Sequence, residues 1–441
     1  MTDLDGLFDI AAPNRTGSGT DDETMLVVWS YGMGAESTAA LVQTILDPTF
    51  RHPCLLPDLS NLIVVTAQTG DEFTSLAALV ERHVLPLFRA HNIRTVEVAR
   101  AGPRNEDGIV VLQDTRHPER MHFDAKKHGF YALSDENRAN AVQPQRSGKR
   151  KCTLKFKGWP MDTWRDRELG TRPYLHAIGY NADEENRIAR ESVLDLGGHR
   201  QMVYPIHDVG WTRQHCREYL YEIFGVWWPK SLCRECCFVS KLEWPDQLAR
   251  LQAEPEQSSR HVVDEYVTLA LNAKSGLFGP EDTLTERLRA AGANTILDLA
   301  EHEIFHSPWA LYRLRRVYFA PATAWRSVDV ALRGTREHTQ QMLQRLSAYL
   351  GIPTITDSCH HTRLWLAQRP PQSTTYPQVE CFYVAIPALV ADKQQPRFEN
   401  HWAAHASDEL RELDMTAADH LHHFGPPAAN PARTPPVAAR A

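Results

Sequence analysis

The fold of this chain is decided by the stretch Val27-Val28-Trp29-Ser30-Tyr31-Gly32-Met33-Gly34-Ala35-Glu36-Ser37-Thr38. The apolar run from Met25 to Trp29 predicts a buried strand, and residues 36–46 predict a helix. A helix that follows a glycine-containing loop presents free backbone N–H groups and a favourable dipole to an anion. We therefore expect Ser30, Gly32, Gly34, Ser37 and Thr38 to bind a nucleotide phosphate.

The same alternation of strand and helix patterns continues to about residue 225. The strand candidates are Met25–Trp29, Leu62–Thr66, Thr95–Val98, Tyr174–Gly179 and Met202–Tyr204, and the helix candidates are 36–46, 73–90, 159–168, 184–194 and 212–224. This order predicts an α/β fold, a parallel sheet with helices on both faces. Ligands of such sheets bind at the carboxyl ends of the strands, so the loops 30–37, 66–72 and 179–183 should converge there.

The remaining sequence suggests a division into four parts. Residues 1–24 are polar and predict a flexible tail, and residues 25–243 predict the nucleotide-binding domain. Within that domain the polar residues 100–150 suggest a lid or insertion. Residues 244–424 predict a mainly helical C-terminal region, and the Pro/Ala-rich residues 425–441 predict a disordered tail.

The composition is that of an ordinary globular protein. The chain has 441 residues, of which 42% are hydrophobic and 23% charged, and no apolar stretch reaches membrane-spanning length. The N-terminus has no signal-peptide pattern, so we expect a cytoplasmic protein that does not contact a membrane. The net charge of −7 means that any contact with nucleic acid needs a local basic patch. In such a protein, eight cysteines suggest a metal site rather than disulfides.

A basic segment supplies that local patch. Residues 146–157 hold six cations among twelve residues, and the usual explanation is a solvated charged surface. We expect instead that Arg150 and Lys155 neutralise substrate phosphates, and that the segment offers a possible contact to DNA or RNA.

Two further loops carry candidate nucleotide-binding residues. Thr69 and Gly70 follow the second strand, and Asp71-Glu72 are expected in the first turn of the next helix, as a helix cap or beside the nucleotide. Gly179 ends another strand. Glu184 and Arg187 share a helix face, as an ordinary ion pair or as groups that bind phosphate.

Cysteines cluster at one point of the sequence, Cys233-Arg234-Glu235-Cys236-Cys237. Thiolates at this spacing can hold one metal centre, and Cys152 is the natural fourth ligand. The sequence does not decide between zinc and an iron–sulfur cluster, and free thiols are the alternative.

Two weaker patterns carry possible metal ligands. The sequence His302-Glu303-Ile304-Phe305-His306 fits a zinc-protease pattern, but Ser307-Pro308 should end the helix too early for that site. The run Cys359-His360-His361 is a possible metal cluster, although a surface loop is the simpler interpretation.

Together these segments resemble the PP-loop ATP pyrophosphatase superfamily, in its phosphoadenosine-phosphosulfate reductase-like branch. The resemblance covers residues 25 to about 245 and rests on five motifs in order. They are the loop 30–38, Thr69-Gly70, the segment from Arg150 to Lys155, the element from Gly179 to Arg187, and Tyr204-Pro205-Ile206 with the segment from Pro229 to Phe238.

The resemblance implies binding of ATP with Mg²⁺ and cleavage between the α and β phosphates. An acceptor would be adenylylated and then attacked by a sulfur or nitrogen nucleophile. Ser37, Lys155 and Arg187 would be catalytic, and Cys152, Cys233, Cys236 and Cys237 would hold a [4Fe-4S] cluster or zinc.

The chain departs from the family pattern at several positions. Met33 replaces a glycine, Glu36 stands where Gln or Asp is expected, and Lys151 occupies a position where cluster-bearing relatives have cysteine. The C-terminal nucleophile motif of reductases is missing, because Glu380-Cys381 is followed by Phe382-Tyr383. Sulfonucleotide reduction is therefore a minor alternative. A nucleic-acid modification or defence component that works with partner proteins, or a nucleotide-sensing module without turnover, also remains open.

Overall fold

The computed structural model describes residues 24–144, 150, 152–192, 198–321, 323–370 and 374–424. The tails expected at 1–24 and 425–441 therefore lie outside the described residues, apart from Thr24, as do Arg146, Ser147, Gly148, Lys149 and Lys151 of the basic segment.

The N-terminal half is an α/β domain around a six-stranded sheet. Its strands are β1 (Leu26–Ser30), β2 (Leu62–Ala67), β3 (Arg94–Arg100), β4 (Ile109–Thr115), β5 (Tyr174–Ile178) and β6 (Arg200–Val203). They lie in the order β4-β3-β2-β1-β5-β6. Strands β3, β2, β1, β5 and β6 pair in parallel, whereas β4 pairs antiparallel to β3 at one edge.

Helices cover both faces of this sheet. They are α1 (Ala35–Leu46), α2 (Thr74–Leu79), α3 (Leu85–Ala90), α4 (Ala125–His128), α5 (Leu133–Asn140), α6 (Trp159–Leu169), α7 (Glu185–Ser192), α8 (Pro205–Asp208) and α9 (Arg213–Phe224). Helices α1, α2, α3 and α9 bury their apolar residues with Trp29 on one face. Helix α6 packs Trp164 and Leu169 against Val28 on the other. This arrangement confirms the predicted α/β class.

Strand order places β1 at the centre of the sheet, between β2 and β5. The chain leaves β1 towards β2 and returns on the opposite side with β5, so the strand order reverses at this point. Ligands of open α/β sheets bind in the crevice at such a reversal.

Several local predictions were wrong. Residues 100–150 are not an irregular insertion, because β4 extends the sheet and α4 and α5 follow it. The helix predicted at 73–90, by contrast, is confirmed as one helical run from Thr74 to Ala90, with π-helical geometry at Val80–Val84. Asp71 and Glu72 precede α2, which begins at Thr74 with Phe73 as its N-cap.

The C-terminal region begins with the helices α10 (Trp244–Ala253), α11 (Pro255–Leu271), α12 (Leu284–Ala290) and α13 (Asn294–His306). The helix α13 ends at His306, as Ser307-Pro308 predicted, so the zinc-protease pattern lacks the continuing helix.

A second sheet follows that the sequence analysis did not anticipate. It contains β7 (Trp309–Ala320), β8 (Thr323–Gly334), β9 (Ile355–Thr356), β10 (Thr362–Ala367), β11 (Gln378–Pro387) and β12 (Lys393–Gln394), all antiparallel, in the order β12-β8-β7-β11-β10-β9. Helices α14 (Arg336–Leu350), α15 (Phe398–His405) and α16 (Asp408–Phe424) pack on one face, and α11 packs on the other. Helices still hold more of this region's residues than strands do.

The segment 232–239 joins the two halves. Leu232, Cys237 and Val239 share a buried apolar cluster with Phe73 of the first domain and with residues of α10–α13. The first C-terminal helices therefore pack directly on the loop that follows β2. None of the helices that the structure describes has the length and apolar content to cross a membrane.

Candidate functional site

The loop between β1 and α1 lies at the strand reversal, where the sequence predicted a phosphate site. Gly34 precedes α1 in extended conformation, and within the described residues the N-terminus of this helix has no side-chain cap. The first N–H groups of α1 are therefore left without a side-chain acceptor. A phosphate oxygen is the ligand that such a helix start favours.

Two close backbone approaches bring other segments to this loop. A Cβ atom on Gly179 would lie 2.6 Å from Cα of Ser37, and a Cβ atom on Gly34 would lie 2.8 Å from Oγ of Ser231. The loop after β5 and the segment before the cysteines therefore both touch the first turn of α1. The convergence of the strand ends at 30–37 and 179–183 is confirmed.

Gly32 stands apart from these packed glycines. A Cβ atom at Gly32 would meet no atom within 4 Å, and its N–H donates to Oγ of Ser37 at 3.3 Å. The backbone of Gly32 thus borders open space beside the start of α1. This is the place in the loop where a phosphate can approach the main chain.

Met33 occupies the position where the family pattern has a glycine, and it shows why a glycine is usual there. Its φ is +60°, a left-handed conformation that costs energy for a residue with a side chain. The Met33 side chain is buried, and its carbonyl accepts a hydrogen bond of 2.9 Å from Nε1 of Trp228. Core packing and this bond hold the loop in its required shape.

The three hydroxyl groups of the loop have different surroundings. Oγ of Ser30 lies 2.7 Å from Nε2 of His176 and accepts from Arg165 at 3.2 Å. Burial lowers the pKa of His176 well below its usual range, so the ring is neutral. Thr38 is fully buried with Oγ1 3.1 Å from the hydroxyl of Tyr31, which turns its side chain into the core rather than towards a ligand. Ser37 remains half-exposed.

The loop after β2 is closed on itself by a buried carboxylate. Glu72 accepts from the N–H and hydroxyl of Thr69, the latter at 2.7 Å, and from the N–H of Gly70 at 3.0 Å. Gly70 has a φ of +86°, and a Cβ atom there would lie 2.7 Å from Cβ of Ala132. Thr69 and Gly70 therefore form a rigid wall beside the site, and the Thr69 hydroxyl already has an acceptor.

Acidic side chains near α1 and α7 are paired with arginines. Glu36 is hydrogen-bonded to Arg213 and lies 3.4 Å from the Asn181 amide nitrogen. Glu184 accepts from the N–H of Asn181 at 3.2 Å and is bonded to Arg187. The predicted ion pair of Glu184 and Arg187 is confirmed.

The described part of the basic segment is also engaged with internal partners. Nζ of Lys155 lies 2.6 Å from a carboxylate oxygen of Glu136 on α5, and Nζ of Lys157 lies 3.9 Å from Glu72. The guanidinium of Arg150 stacks 4.4 Å from the ring centre of Phe238. These contacts place Arg150 against the cysteine segment, Lys155 against α5 and Lys157 beside the loop after β2.

The structure brings two of the four predicted metal ligands together. The Cys236 N–H donates to the Cys233 carbonyl at 3.2 Å, and the interaction between the two thiols lowers the pKa of Cys236 and raises that of Cys233. Cys152 lies close enough to Cys236 for their charges to interact, although burial is the larger cause of its raised pKa. Cys237, by contrast, is fully buried in the apolar cluster around Phe73.

The positions of the four sulfurs can be compared with the geometry of a zinc site. A tetrahedral zinc site with Zn–S bonds of about 2.3 Å needs ligand sulfurs about 3.8 Å apart. No three of the four sulfurs in the described chain lie within 4.8 Å of one another. The four thiols of the described chain are therefore not preassembled around a single ion.

Buried acids surround the thiol pair. Glu72 forms a backbone bridge with Cys233, and Asp71 accepts from the N–H of Ser134 at 2.8 Å. The Glu235 carboxylate accepts from the Asn137 side chain at 2.8 Å. Burial raises the pKa of both Asp71 and Glu235, which keeps these acids protonated more readily than at the surface. The thiol pair therefore lies beside the loop after β2, at the same carboxyl end of the strands as loop 30–37.

The C-terminal cysteine considered for reductase chemistry is unsuited to it. Cys381 lies in β11, one of the two central strands of the antiparallel sheet, fully buried, with Sγ 3.7 Å from a carboxylate oxygen of Asp414. A reductase nucleophile must reach a substrate. The structure thus agrees with the absence of the reductase motif.

Sequence reasoning missed several residues of the site. Arg165 and His176 hold Ser30, Arg213 holds Glu36, and Trp228 holds Met33. Each contact joins residues more than a hundred positions apart, and no local pattern signals such a pair.

Comparison with known proteins adds little. Neither a family model nor a curated protein matches the sequence. Among solved structures, the chain is similar to the U34-tRNA thiolase NcsA from Methanococcus maripaludis with its [4Fe-4S] cluster. The identity is 15% and the TM-score 0.31, over 53% of this chain and 69% of the thiolase chain. A similarity at this level transfers no residue role or activity to this chain.

Proposed function

We propose that this chain is a PP-loop-type enzyme that binds ATP at loop 30–37 and cleaves it between the α and β phosphates. The observation that carries the proposal is the uncapped start of α1 beside Gly32, at the point where the strand order reverses. The leaving pyrophosphate would lie on the backbone amides of the loop and on the Ser37 hydroxyl, since phosphoryl-type transfer needs mainly positioning and charge stabilisation.

The proposed charge stabilisation comes from side chains that are now paired with acids. Lys155 is held by Glu136 and Arg187 by Glu184. Either cation would turn from its carboxylate to a phosphate when ATP binds, because a phosphate carries the larger charge. Arg150 and Gly179 complete the proposed nucleotide contacts.

Mg²⁺ would be held mainly by the phosphates and by water. The carboxylates nearest the loop, Glu36 and Glu184, already accept hydrogen bonds from Arg213, Arg187 and Asn181. Magnesium is usually bound through phosphate oxygens with one or two carboxylates at most. The ion would neutralise charge that develops on the leaving pyrophosphate.

We further propose that Cys233 and Cys236, with Cys152, hold a [4Fe-4S] cluster next to the nucleotide. The place of Cys233 beside the loop after β2 and the interaction of Cys152 with Cys236 support this. Cys237 would have to leave its apolar cluster to become the fourth ligand. With a cluster bound, sulfur transfer to an adenylylated acceptor, such as a nucleic acid reached through residues 146–157, is the reaction class that fits.

The direct test is product analysis with radiolabelled ATP and the full chain under anaerobic conditions. We expect AMP or an adenylylated acceptor together with pyrophosphate. Ser37→Ala and Lys155→Ala should each lower pyrophosphate release by about 100-fold or more, as the loss of one transition-state donor does. Ser60→Ala, in an exposed turn far from the loop, is the matched control. Release of orthophosphate instead, or full activity in Ser37→Ala, would contradict the proposal.

A second candidate is a nucleotide-sensing module without turnover. The internal pairing of Lys155, Arg187 and Thr38 favours it, because all three side chains already have partners. Tight ATP binding with no product in the same assay, in the presence of DNA and RNA, would identify this function.

A further inference from the structure

The turn between β9 and β10 gathers three metal-ligating side chains far along the chain from the proposed nucleotide site. Asp357, Cys359 and His361 each contribute one donor atom, and these three atoms lie within 4.8 Å of one another. They are alternate residues of one hairpin turn, which is closed by a 3.0 Å hydrogen bond from the Asp357 N–H to the His361 carbonyl.

The hairpin turn is fixed by its own hydrogen bonds. The Asp357 carboxylate accepts from the N–H groups of Cys359 and His361, both at 2.9 Å, and from Arg363 at 2.6 Å. Arg363 is itself buried and donates to the carbonyls of Leu269 and Ala270 in α11. The three donor atoms are thus positioned by a braced turn rather than by a loose surface loop.

His361 is the unusual member of this group. It is only 1% exposed, and its Nδ1 lies 3.2 Å from Oδ2 of Asp357. Its Nε2 is buried and makes no hydrogen bond of good geometry within the described residues, although the Tyr266 main chain is close enough to influence the pKa of the ring. A buried imidazole nitrogen without a bond is costly unless a ligand satisfies it.

We propose that Asp357, Cys359 and His361 bind one divalent transition-metal ion with the preferences of zinc. Thiolate, imidazole and carboxylate are the ligand types of zinc, and three protein ligands leave a fourth position open. Asp357 would supply the third ligand and also hold the His361 ring, since its Oδ2 lies 3.2 Å from Nδ1.

The hairpin also borders a cavity. A cavity of about 620 Å³ adjoins the hairpin and is lined by His360, Thr362 and Tyr266, among others. The ring of Tyr266 packs 4.3 Å from the ring of His361. The proposed ion is independent of the nucleotide function, because its ligands belong to the antiparallel sheet.

The test is a cobalt titration of the full chain carrying Cys233→Ser and Cys236→Ser, which removes the other thiol pair. We expect one equivalent of Co²⁺ to bind with a thiolate-to-metal charge-transfer band. Adding Cys359→Ser should abolish the band and weaken binding by at least about 100-fold, more than the 10- to 100-fold typical of an outer-shell change. Adding Cys54→Ser instead, at another half-buried free thiol, should leave both unchanged.

A second measurement needs no substitution. In the unmodified chain, Zn²⁺ should slow alkylation of Cys359 at least tenfold, mapped by peptide mass spectrometry, with Cys54 as internal control. Three results would each overturn the proposal. They are absence of cobalt binding in the double variant, a charge-transfer band that persists after Cys359→Ser, and an alkylation rate of Cys359 that does not change when Zn²⁺ is added.

Discussion

Gly179 and Ser37 meet backbone to backbone, and this contact fixes the distance between the loop after β5 and the start of α1. The space at residue 179 is too small for any side chain, since a Cβ atom would lie 2.6 Å from Cα of Ser37 and 3.1 Å from its nitrogen. The neighbour is main chain and cannot turn aside. A single methyl group there must push β5 and α1 apart.

Gly179→Ala therefore tests the contact at the scale of one residue. We expect the unfolding free energy to fall by about 1–3 kcal/mol, the usual cost of overpacking, measured by urea denaturation. Gly279→Ala is the matched control, because its Cβ atom would lie 3.9 Å from the nearest atom, an ordinary contact. Equal stability of the two variants would show that the loop after β5 is not held against α1.

Individual residues also show how far the sequence predicts the site. The glycines and hydroxyls of loop 30–38 were identified correctly as a turn before a helix, because strand, loop and helix start are adjacent in sequence. The Thr38 hydroxyl was expected at the ligand and instead bonds Tyr31 in the core. Which hydroxyl faces outward depends on the packing of α1 against the sheet, and the sequence pattern does not contain that information.

At the scale of elements, α5 and α11 form a contact between the two halves of the molecule. Arg138 on α5 donates to both carboxylate oxygens of Asp264 on α11, the shorter bond being 2.6 Å. Burial raises the pKa of Asp264 to about 6 despite this partner. The stability of the protein therefore depends on whether Asp264 is protonated.

The sign of that dependence gives a prediction. The folded pKa of Asp264 exceeds the unfolded value of about 3.9, so the folded state binds the proton more tightly. Protonation of Asp264 therefore adds up to about 3 kcal/mol to the unfolding free energy. The full amount is present below about pH 4, and it is lost as the pH rises to about 6.

Asp264→Asn removes this titration. We expect the stability of the variant to fall less than that of the unmodified chain between about pH 4 and pH 6, measured by denaturant unfolding at closely spaced pH values. Parallel curves for the two proteins would mean that Asp264 titrates normally in the folded state.

The strands of the two sheets show which elements the sequence predicts and which it does not. All five strands predicted in the first domain are present, with ends shifted by at most two residues, because buried apolar runs are distinctive. Strand β4 was missed, since its short apolar run Ile109–Leu112 is only partly buried at the sheet edge and lies in an otherwise polar part of the sequence. Strands β7 and β8 were missed because their arginines and polar residues hide the strand pattern in a region otherwise rich in helices.

At the scale of the whole molecule, one segment, residues 231–239, connects the two halves that contain the two sheets. Residues 231–239 touch Gly34 through Ser231, bridge to Glu72 through Cys233, and enter the C-terminal helices through Cys237. Binding of a metal centre at Cys233 and Cys236 would therefore affect both the nucleotide loop and the helices α10–α13. This connection joins segments that are distant in sequence, so the sequence alone did not predict it.

Metal content tests this connection. The chain purified anaerobically should contain iron and acid-labile sulfide near four of each per molecule if one [4Fe-4S] cluster is bound. Cys233→Ala should lose both, whereas Cys216→Ala, at a buried thiol of α9, should keep them. Iron that persists in Cys233→Ala would exclude this thiol pair as the cluster site.

The central claim is that a phosphate approaches the main chain at Gly32, and calorimetric titration of ATP into Gly32→Ala tests it most directly. A Cβ atom at this residue meets no protein atom within 4 Å, so the melting temperature should not change. If ATP phosphates occupy that space, affinity should fall at least tenfold, while Gly279→Ala binds as the unmodified chain does. Equal ATP affinity of Gly32→Ala and the unmodified chain would contradict a phosphate site in loop 30–37.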